Sequence, residues 1–498
     1  MSSLSPAPAQ PDGLRRLRQA LLAAGYTVDG VPRALSPQAH DALAAGDPAP
    51  ALRATRDGSA MSTLVRLFLL GKAVPAQQCA AALDPLTLDE AVAMGLLVAG
   101  ADSMRAGLDV RPYGEPGAGW FVVSDVAARG SRLRRDHVLG VGGASVTLAQ
   151  ATVRDPVGTA LDLGTGSGVQ ALHLSDHASS VTATDRNPRA LHLAGMTAAL
   201  SAVPGWELLE GDLFAPVDGR RFDLVVSNPP FVVAPAGRFL YRDSGLPGDE
   251  VCRRIVHSAP GHLTDGGTAQ LLANWLYVRE TDWTERLEGW LAGTGCDALV
   301  VQRELQDPAE YAALWLRDSG DDSADGDLYA SLYDDWLAWF DAHDVEAIGF
   351  GLISLRRNGS DRPVVSVESH LQPVEQPLGP TIGSWLTRAA ALRDLSDDEL
   401  LHTALRVADD VRLGQRAVPG EGWEVETQTL VQEGGLRRRA GIDEFGALVV
   451  AGCNGLQRLA GLLEILAPAY DLAAEDLRDD ALPLVRDLVR DGYLFLPE

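Results

Sequence analysis

The chain has 498 residues, more than one domain ordinarily holds, and a hydrophobic content of 46%, which suits a folded protein of two to four domains. Its 68 acidic side chains against 42 basic ones leave a net charge of −26, which excludes a broadly basic nucleic-acid-binding surface but not a local one. Cys79, Cys252, Cys296 and Cys453 lie far apart with no C-x-x-C pair, no apolar signal run follows Met1, and no apolar stretch has the length of a membrane span; these features predict free thiols, a cytoplasmic location, no zinc ribbon and no membrane partner.

Residues 1–10, rich in Pro, Ser and Ala, read as a disordered start. From about residue 11 to 60 the period is helical, with Leu14, Leu17, Leu21 and Leu22 on one side. Ser62 to about Leu97 reads as two or three short helices, and Leu64–Leu70, interrupted by Arg66, as a core helix. Asp109–Tyr113 and Gly119–Ser124 read as the strands of a hairpin. Helices followed by such a β-wing form the winged-helix pattern, and two uses stay open for it: a substrate-docking module or a cap on the next domain. Arg129, Arg132, Arg134 and Arg135 form the densest basic cluster, suited to a phosphate or an acidic peptide, or to pairing with nearby acids on a solvated linker.

The central third carries the chemistry. Ala160 to Leu163 is a short apolar strand containing Asp162, followed by the turn Gly164-Thr165-Gly166-Ser167-Gly168 and an apolar helical run to Leu174. Glycines there let backbone approach a ligand. A glycine loop alone also fits a dinucleotide enzyme. Two acids favour another ligand: Asp162 opens the loop as an acceptor for a cationic or amino-bearing group, and Asp185, about 20 residues on, ends the next strand where ribose hydroxyls bind. Asp212, before Leu213, ends a third strand, whereas Asp155, Asp176 and Asp223 read as ordinary surface or turn acids. Next, the buried run Phe222–Val226 leads into Ser227-Asn228-Pro229-Pro230-Phe231. Two prolines lack N–H donors and fix φ, so the strand must end in a stiff turn at its carboxyl edge. That turn offers an amide side chain, prolyl-flanked carbonyls and an aromatic face, together suited to holding a flat –NH2 group.

Beyond it, Ala298–Val301 reads as a strand, and the segment from about Asp307 to Asp344 as an insertion. The insertion holds Tyr311, Trp315, Tyr329, Tyr333, Trp336, Trp339 and Phe340 around an acidic middle, Asp321–Asp327. Most of these aromatics read as packing residues, with one or two left to line a cleft. Ile348–Leu355 reads as the last strand, followed by Arg356 and Arg357. Residues 396–498 are acidic and mostly helical, with a wing-like stretch at Trp423–Leu430 and Leu436–Ile442 and a closing helix that groups Leu482, Leu484, Val485, Leu488 and Val489. His137, His173, His257 and His262 have no ligand spacing and read as structural.

In this order, D-L-G-T-G-S-G, T-D-R-N-P, G-D-L-F and S-N-P-P-F closely resemble the class I S-adenosylmethionine-dependent methyltransferases, in the branch carrying an (Asn/Asp)-Pro-Pro-(Tyr/Phe) motif. That branch includes protein-glutamine N5, rRNA guanine-N2 and adenine-N6 methyltransferases. The resemblance covers about residues 135–305 and returns near 345–357. It implies an α/β, Rossmann-like core of seven strands with an antiparallel last strand, here flanked by N- and C-terminal, mostly helical, winged-helix-like domains. The expected boundaries are 1–128, a core at 129–360 with its insertion at about 307–344, a linker at 361–395, and 396–498. The implied cofactor is S-adenosylmethionine, leaving as S-adenosylhomocysteine. Asp162, Gly164 and Gly166 would line its methionine end, Asp185 its ribose, and Asp212 with Leu213 its adenine. Asn228 and the Pro229 carbonyl would hold the target nitrogen beside Pro230, with Phe231 packed on its face. The block Arg135–Leu148 would close over the cofactor, and no metal is implied. Methyl transfer to a planar amino or amide nitrogen follows as the expected activity. The acceptor stays open between RNA, a glutamine-type amide of a protein or peptide, and a natural-product small molecule. An oxidoreductase built on the same glycine loop, and a non-catalytic binding protein, are the alternatives of other classes.

Overall fold

The computed structural model describes residues 11–126, 134, 136–233, 246–318, 326–420 and 422–497. Residues 1–10, Arg129, Arg132, Arg135 and the acidic stretch Asp321–Asp325 therefore lie outside the described residues.

Eight strands make the central sheet: β1 (Val157–Leu163), β2 (Ala178–Asp185), β3 (Glu207–Glu210), β4 (Phe222–Ser227), β5 (Leu263–Val278), β6 (Cys296–Gln306), β7 (Val345–Arg357) and β8 (Val365–Ser369), in the order β8-β6-β7-β5-β4-β1-β2-β3. The pairs β1/β2, β2/β3, β1/β4, β4/β5 and β6/β8 are parallel. A parallel strand is covered by helices on both faces, which is why β1 and β4 read as near-continuous apolar runs. Their register aligns the carboxyl ends: Leu163 stands beside Thr184 and Ser227, and Asp185 beside Glu210. Strand order reverses between β1 and β4, and a crevice at such a switch point is where open α/β sheets bind ligands.

Two compact units divide the chain: Met1–Ala149 with Asp155–Trp283 and Gln306–Gly349, and Gln150–Arg154 with Thr284–Leu305 and Phe350–Glu498. In the first, Leu14, Leu17 and Leu21 are fully buried in one core with Phe121, Val123 and the apolar side of the helix Pro188–Ser201. Leu22, expected on the same side, is exposed. The hairpin assigned to a wing consists of Leu108–Tyr113 and Trp120–Asp125, and it stands outside the three-stranded sheet of residues 74–75, 97–99 and 103–106. It is a core element: the Phe121 and Val123 amides donate to Ser201 Oγ and Thr197 Oγ1 of the helix Pro188–Ser201, both at 3.0 Å. Burial of Trp120–Ser124 leaves no solvent face for a wing.

In the second unit, the expected linker 361–395 is ordered structure. It supplies β8, the eighth strand where seven are expected, and the helix Gly379–Asp394 with Trp385 fully buried. Arg438 holds Glu368 of β8 through two bonds (2.8 and 3.1 Å), and Arg393 pairs with the buried Asp297. The C-terminal region adds an antiparallel three-stranded sheet (Val411–Pro419, Trp423–Gln432, Arg439–Ile442) and the helices 444–452, 459–466 and 474–490 around a shared apolar core. No helix among the described residues is long and apolar enough to cross a membrane.

Candidate active site

A cavity of about 680 Å³ opens at the carboxyl ends of β1, β2 and β4, within the first unit. Its wall includes Gly164–Ser167, Asp185, Asp212, Leu213 and Asn228–Pro230. Four segments separate in the sequence thus meet because four parallel strands end together.

The glycine loop is drawn into shape by backbone bonds and two acids. Gly164 and Thr165 both donate to the Thr184 carbonyl at 2.9 Å. Gly166 donates to Asp185 Oδ2 at 2.9 Å, and Asp185 Oδ1 accepts from the Asn187 amide at 2.8 Å. Burial raises the Asp185 carboxyl above its ordinary range, against the pull of those two amides. Gly164 and Gly166 have φ of +78° and +55°, a region costly to other residues, and a Cβ on either would meet no atom within 4 Å. The free space beside them belongs to the cavity. At the rim, Gly211 donates to the Asp185 carbonyl at 3.1 Å, and a Cβ there would stand 2.5 Å from Pro216, so the Asp212–Leu213 turn requires glycine before it.

Asp162 departs from its expected place. It is fully buried and absent from the cavity wall. Its Oδ2 accepts from Thr165 Oγ1 (2.6 Å) and the Ala171 amide (3.0 Å), tying the loop to the helix Val169–Leu174. Burial pushes its carboxyl up to about 7, opposed by those bonds and increased by the neighbouring Asp185.

At the end of β4, Ser227 Oγ donates to the Leu163 carbonyl at 2.8 Å and locks the Asn-Pro-Pro turn beside the glycine loop. Asn228 is half-buried on the wall. The Phe231 amide donates to the Pro229 carbonyl at 2.8 Å, closing a tight turn that leaves this carbonyl one lone pair for a ligand. Phe231 itself is not on the wall. It is buried behind the turn, edge-on to Trp315 with ring centroids 6.4 Å apart, and Trp315 lines the cavity. The insertion therefore divides as expected: Tyr311 and Phe340 are buried packing residues, and one aromatic lines the cleft. Tyr311 Oη accepts from the Val233 amide (3.0 Å) and from Asn274 Nδ2 (2.7 Å), bracing the strand end from behind.

The segment before β1 covers the cavity, with His137–Ser145 on its wall. Gln170 Nε2 donates to the Ser145 carbonyl at 2.8 Å, and Asn187 Nδ2 to the Asp136 carbonyl at 3.1 Å. His137 is buried with its imidazolium disfavoured by that burial. Arg134, the described member of the Arg cluster, pairs with Asp136 at 2.6 Å. Sequence reasoning missed Asp109, Arg111, Arg186 and Arg254 on the wall; Asp109 and Arg111 follow two-residue spacing on one strand, the one signal that they share a face.

Residues 140–281 match the family described as methyltransferase small domain. Residues 23–107 and 383–496 match families described as domains of unknown function, DUF7059 and DUF7782. The chain is 37% identical over 145 residues to the ribosomal protein uL3 glutamine methyltransferase of Bradyrhizobium diazoefficiens, covering 26% of this chain and 44% of that one. It is 38% identical over 134 residues to the release factor glutamine methyltransferase of Cereibacter sphaeroides, covering 24% and 48%. A third relative, the ribosomal RNA small subunit methyltransferase C of Alcanivorax borkumensis, is 32% identical over 117 residues, covering 24% and 32%. The chain thus spans less than half the length of each of these relatives. The glycine loop, Asp185 and the Asn-Pro-Pro turn all lie inside the residues 140–281 that match the methyltransferase family.

Proposed function

We propose that the protein is an S-adenosylmethionine-dependent N-methyltransferase whose acceptor is a planar amide or amino nitrogen on a protein or an RNA. The observation that carries this is the placement of Asn228, with the Pro229 carbonyl, on the same cavity wall as the Gly164–Ser167 loop and Asp185. The residues fit the cofactor: the two glycines leave open space where side chains would stand, an acceptor for hydroxyls ends β2, and 680 Å³ lies within the usual range for ligand cavities. When bound, S-adenosylmethionine supplies a methyl carbon made electrophilic by its sulfonium.

The chain's own residues do the rest. The side-chain oxygen of Asn228 and the free lone pair of the Pro229 carbonyl accept the two hydrogens of the target –NH2. That fixes the nitrogen at the turn, on the cavity wall it shares with the glycine loop. Two acceptors on its hydrogens raise the electron density of a nitrogen weakened by delocalisation, and they match the positive charge that grows on it. Positioning two reactants in this way supplies several kcal/mol, about 7–11 in well-oriented systems. The proton can leave afterwards to water or to a carbonyl, so no general base is required first.

Two of the relatives named above support an amide acceptor by the word glutamine, and the third supports an RNA one by its printed name. The test is transfer of a labelled methyl group from S-adenosylmethionine onto size-fractionated lysate of a suitable host, followed by digestion with protease or ribonuclease. Label at nitrogen in protein or RNA is expected. Label confined to oxygen, carbon or small molecules would overturn the reading.

A further inference from the structure

The hairpin Leu108–Tyr113/Trp120–Asp125 precedes the residues that match the methyltransferase family, and none of the three matched families reaches it. Its two faces have different tasks, as alternation in a strand dictates. Phe121 and Val123 face the N-terminal core. Tyr113, Trp120 and Val122 face the helix Val169–Leu174: Tyr113 Oη bonds His173 Nε2 at 2.8 Å, the Trp120 ring stands edge-on to His173 at 5.4 Å, and Val122 packs with Val169 and Leu172. The register pairs Tyr113 with Trp120, Arg111 with Val122 and Asp109 with Ser124. Followed from Tyr113, the hairpin runs along that helix, and its next pair, Asp109 and Ser124, lines the same cavity as the glycine loop. Ser124 touches the covering segment there, since a Cβ on Gly140 would stand 2.6 Å from Ser124 Oγ.

Asp109 is 8% exposed and lines the cavity. Its Oδ2 is bonded by Arg111 at 3.1 Å, while its buried Oδ1 has no partner among the described residues. A buried carboxylate oxygen left unpaired costs free energy, so Asp109 gains from any donor that reaches its carboxylate. Arg111 lines the same wall with its side chain half exposed.

Resting on the cofactor reading above, we propose that Asp109 and Arg111 clamp the amino-acid end of the cofactor, the Asp109 carboxylate accepting from its ammonium and the Arg111 guanidinium meeting its carboxylate. A sulfonium bears three substituents. Asn228 marks the direction of the methyl group, and Asp185 with Asp212 that of the nucleoside. On the rest of the wall the hairpin presents Asp109 and Arg111, an anion and a cation, to a group that carries one of each, while its other acid, Asp125, is held by Arg189. The N-terminal region is then part of the cofactor site as well as a cap.

The test is calorimetric titration of the full chain with two ligands: S-adenosylhomocysteine, and 5′-methylthioadenosine, which lacks the amino-acid end. Asp109→Asn keeps the shape and removes a buried charge, so it is expected to fold; Asp109→Ala and Arg111→Gln are parallel variants, with thermal melts as the folding control. Each is expected to weaken S-adenosylhomocysteine by about tenfold or more, the loss of a charged hydrogen bond, and to leave methylthioadenosine within about twofold. Unchanged affinity for S-adenosylhomocysteine, or equal losses for both ligands, would overturn the clamp. So would a wild type that binds S-adenosylhomocysteine no more tightly than methylthioadenosine. A wild type that binds neither would instead remove the cofactor reading, and the clamp with it.

Discussion

Asn228 and Asp162 sit one strand apart and act in different ways. Asn228 makes no side-chain hydrogen bond among the described residues and lines the cavity, so Asn228→Ala is expected to leave folding intact and S-adenosylhomocysteine affinity within a few-fold. Single-turnover methyl transfer should fall by roughly 10²–10³, by analogy with the loss of one positioned oxyanion donor. Turnover at the wild-type rate would mean that the turn is a wall and not an acceptor. Asp162 is the reverse case: buried, bonded within the loop, and with a carboxyl pushed up from 3.8 to about 7. A carboxyl raised on folding binds more protons in the native state than in the unfolded one. The native state is therefore favoured below the unfolded value, and that advantage is lost as pH rises from about 4 to about 7. Asp162→Asn keeps an oxygen for Thr165 and Ala171 and removes the charge. Thermal melts at about pH 5 and pH 8 should show a smaller fall for Asp162→Asn than for the wild type. Equal falls would show that the carboxyl is ionised across this range.

At the level of elements, an aromatic of the insertion, Trp315, lines the cavity, and the motif's own Phe231 does not. Phe231 follows the two prolines, and its amide is turned back onto Pro229, which directs its ring behind the turn. The helix Pro308–Asp318 then brings Trp315 to the wall, held against Tyr311 at 5.9 Å and Phe231 at 6.4 Å. Stacking on a flat acceptor stabilises ground state and transition state alike, so Trp315→Ala is expected to raise KM for the acceptor about tenfold with little change in kcat. Phe231→Ala empties a buried position and should lower the melting temperature. If Trp315→Ala left KM unchanged while Phe231→Ala raised it, the assignment of the two rings would be reversed. The same logic covers the hairpin. Its strands were legible from alternation, but its role was not, because a wing and a core hairpin carry the same period. Only the bonds from its amides to Thr197 and Ser201 separate the two.

For the whole molecule, charge separates the two acceptor classes. Binding to RNA draws largely on phosphate neutralisation, and a protein making about 6–10 phosphate contacts loses about 10³–10⁵ in affinity between about 50 and 200 mM salt. A chain of net charge −26, with Lys72 its only lysine, is poorly equipped for many such contacts. Transfer to a protein acceptor is accordingly expected to change by less than about threefold over that range, measured as initial rates at fixed cofactor. A steep loss would move the assignment to RNA. The amino-acid sequence by itself determined the two turns that define the site. Gly164 and Gly166 permit φ values that other residues avoid, and Pro229 and Pro230 end a strand whatever surrounds them, so both features are local. It also set the order of the strands that carry them, since each apolar run is followed by its own acid or turn. Which side chains face the cavity was decided by tertiary structure alone. Asp162 and Phe231 are motif residues turned inward, whereas Asp109, Arg111 and Trp315 come from distant segments and reach the wall. The linker that became β8 and a helix belongs with them: Val365–Ser369 is too short to declare itself, and it is a strand because β6 offers an open edge to pair with. Backbone conformation follows from a residue and its neighbours; the direction of a side chain and the pairing of an edge depend on what the rest of the chain packs against them.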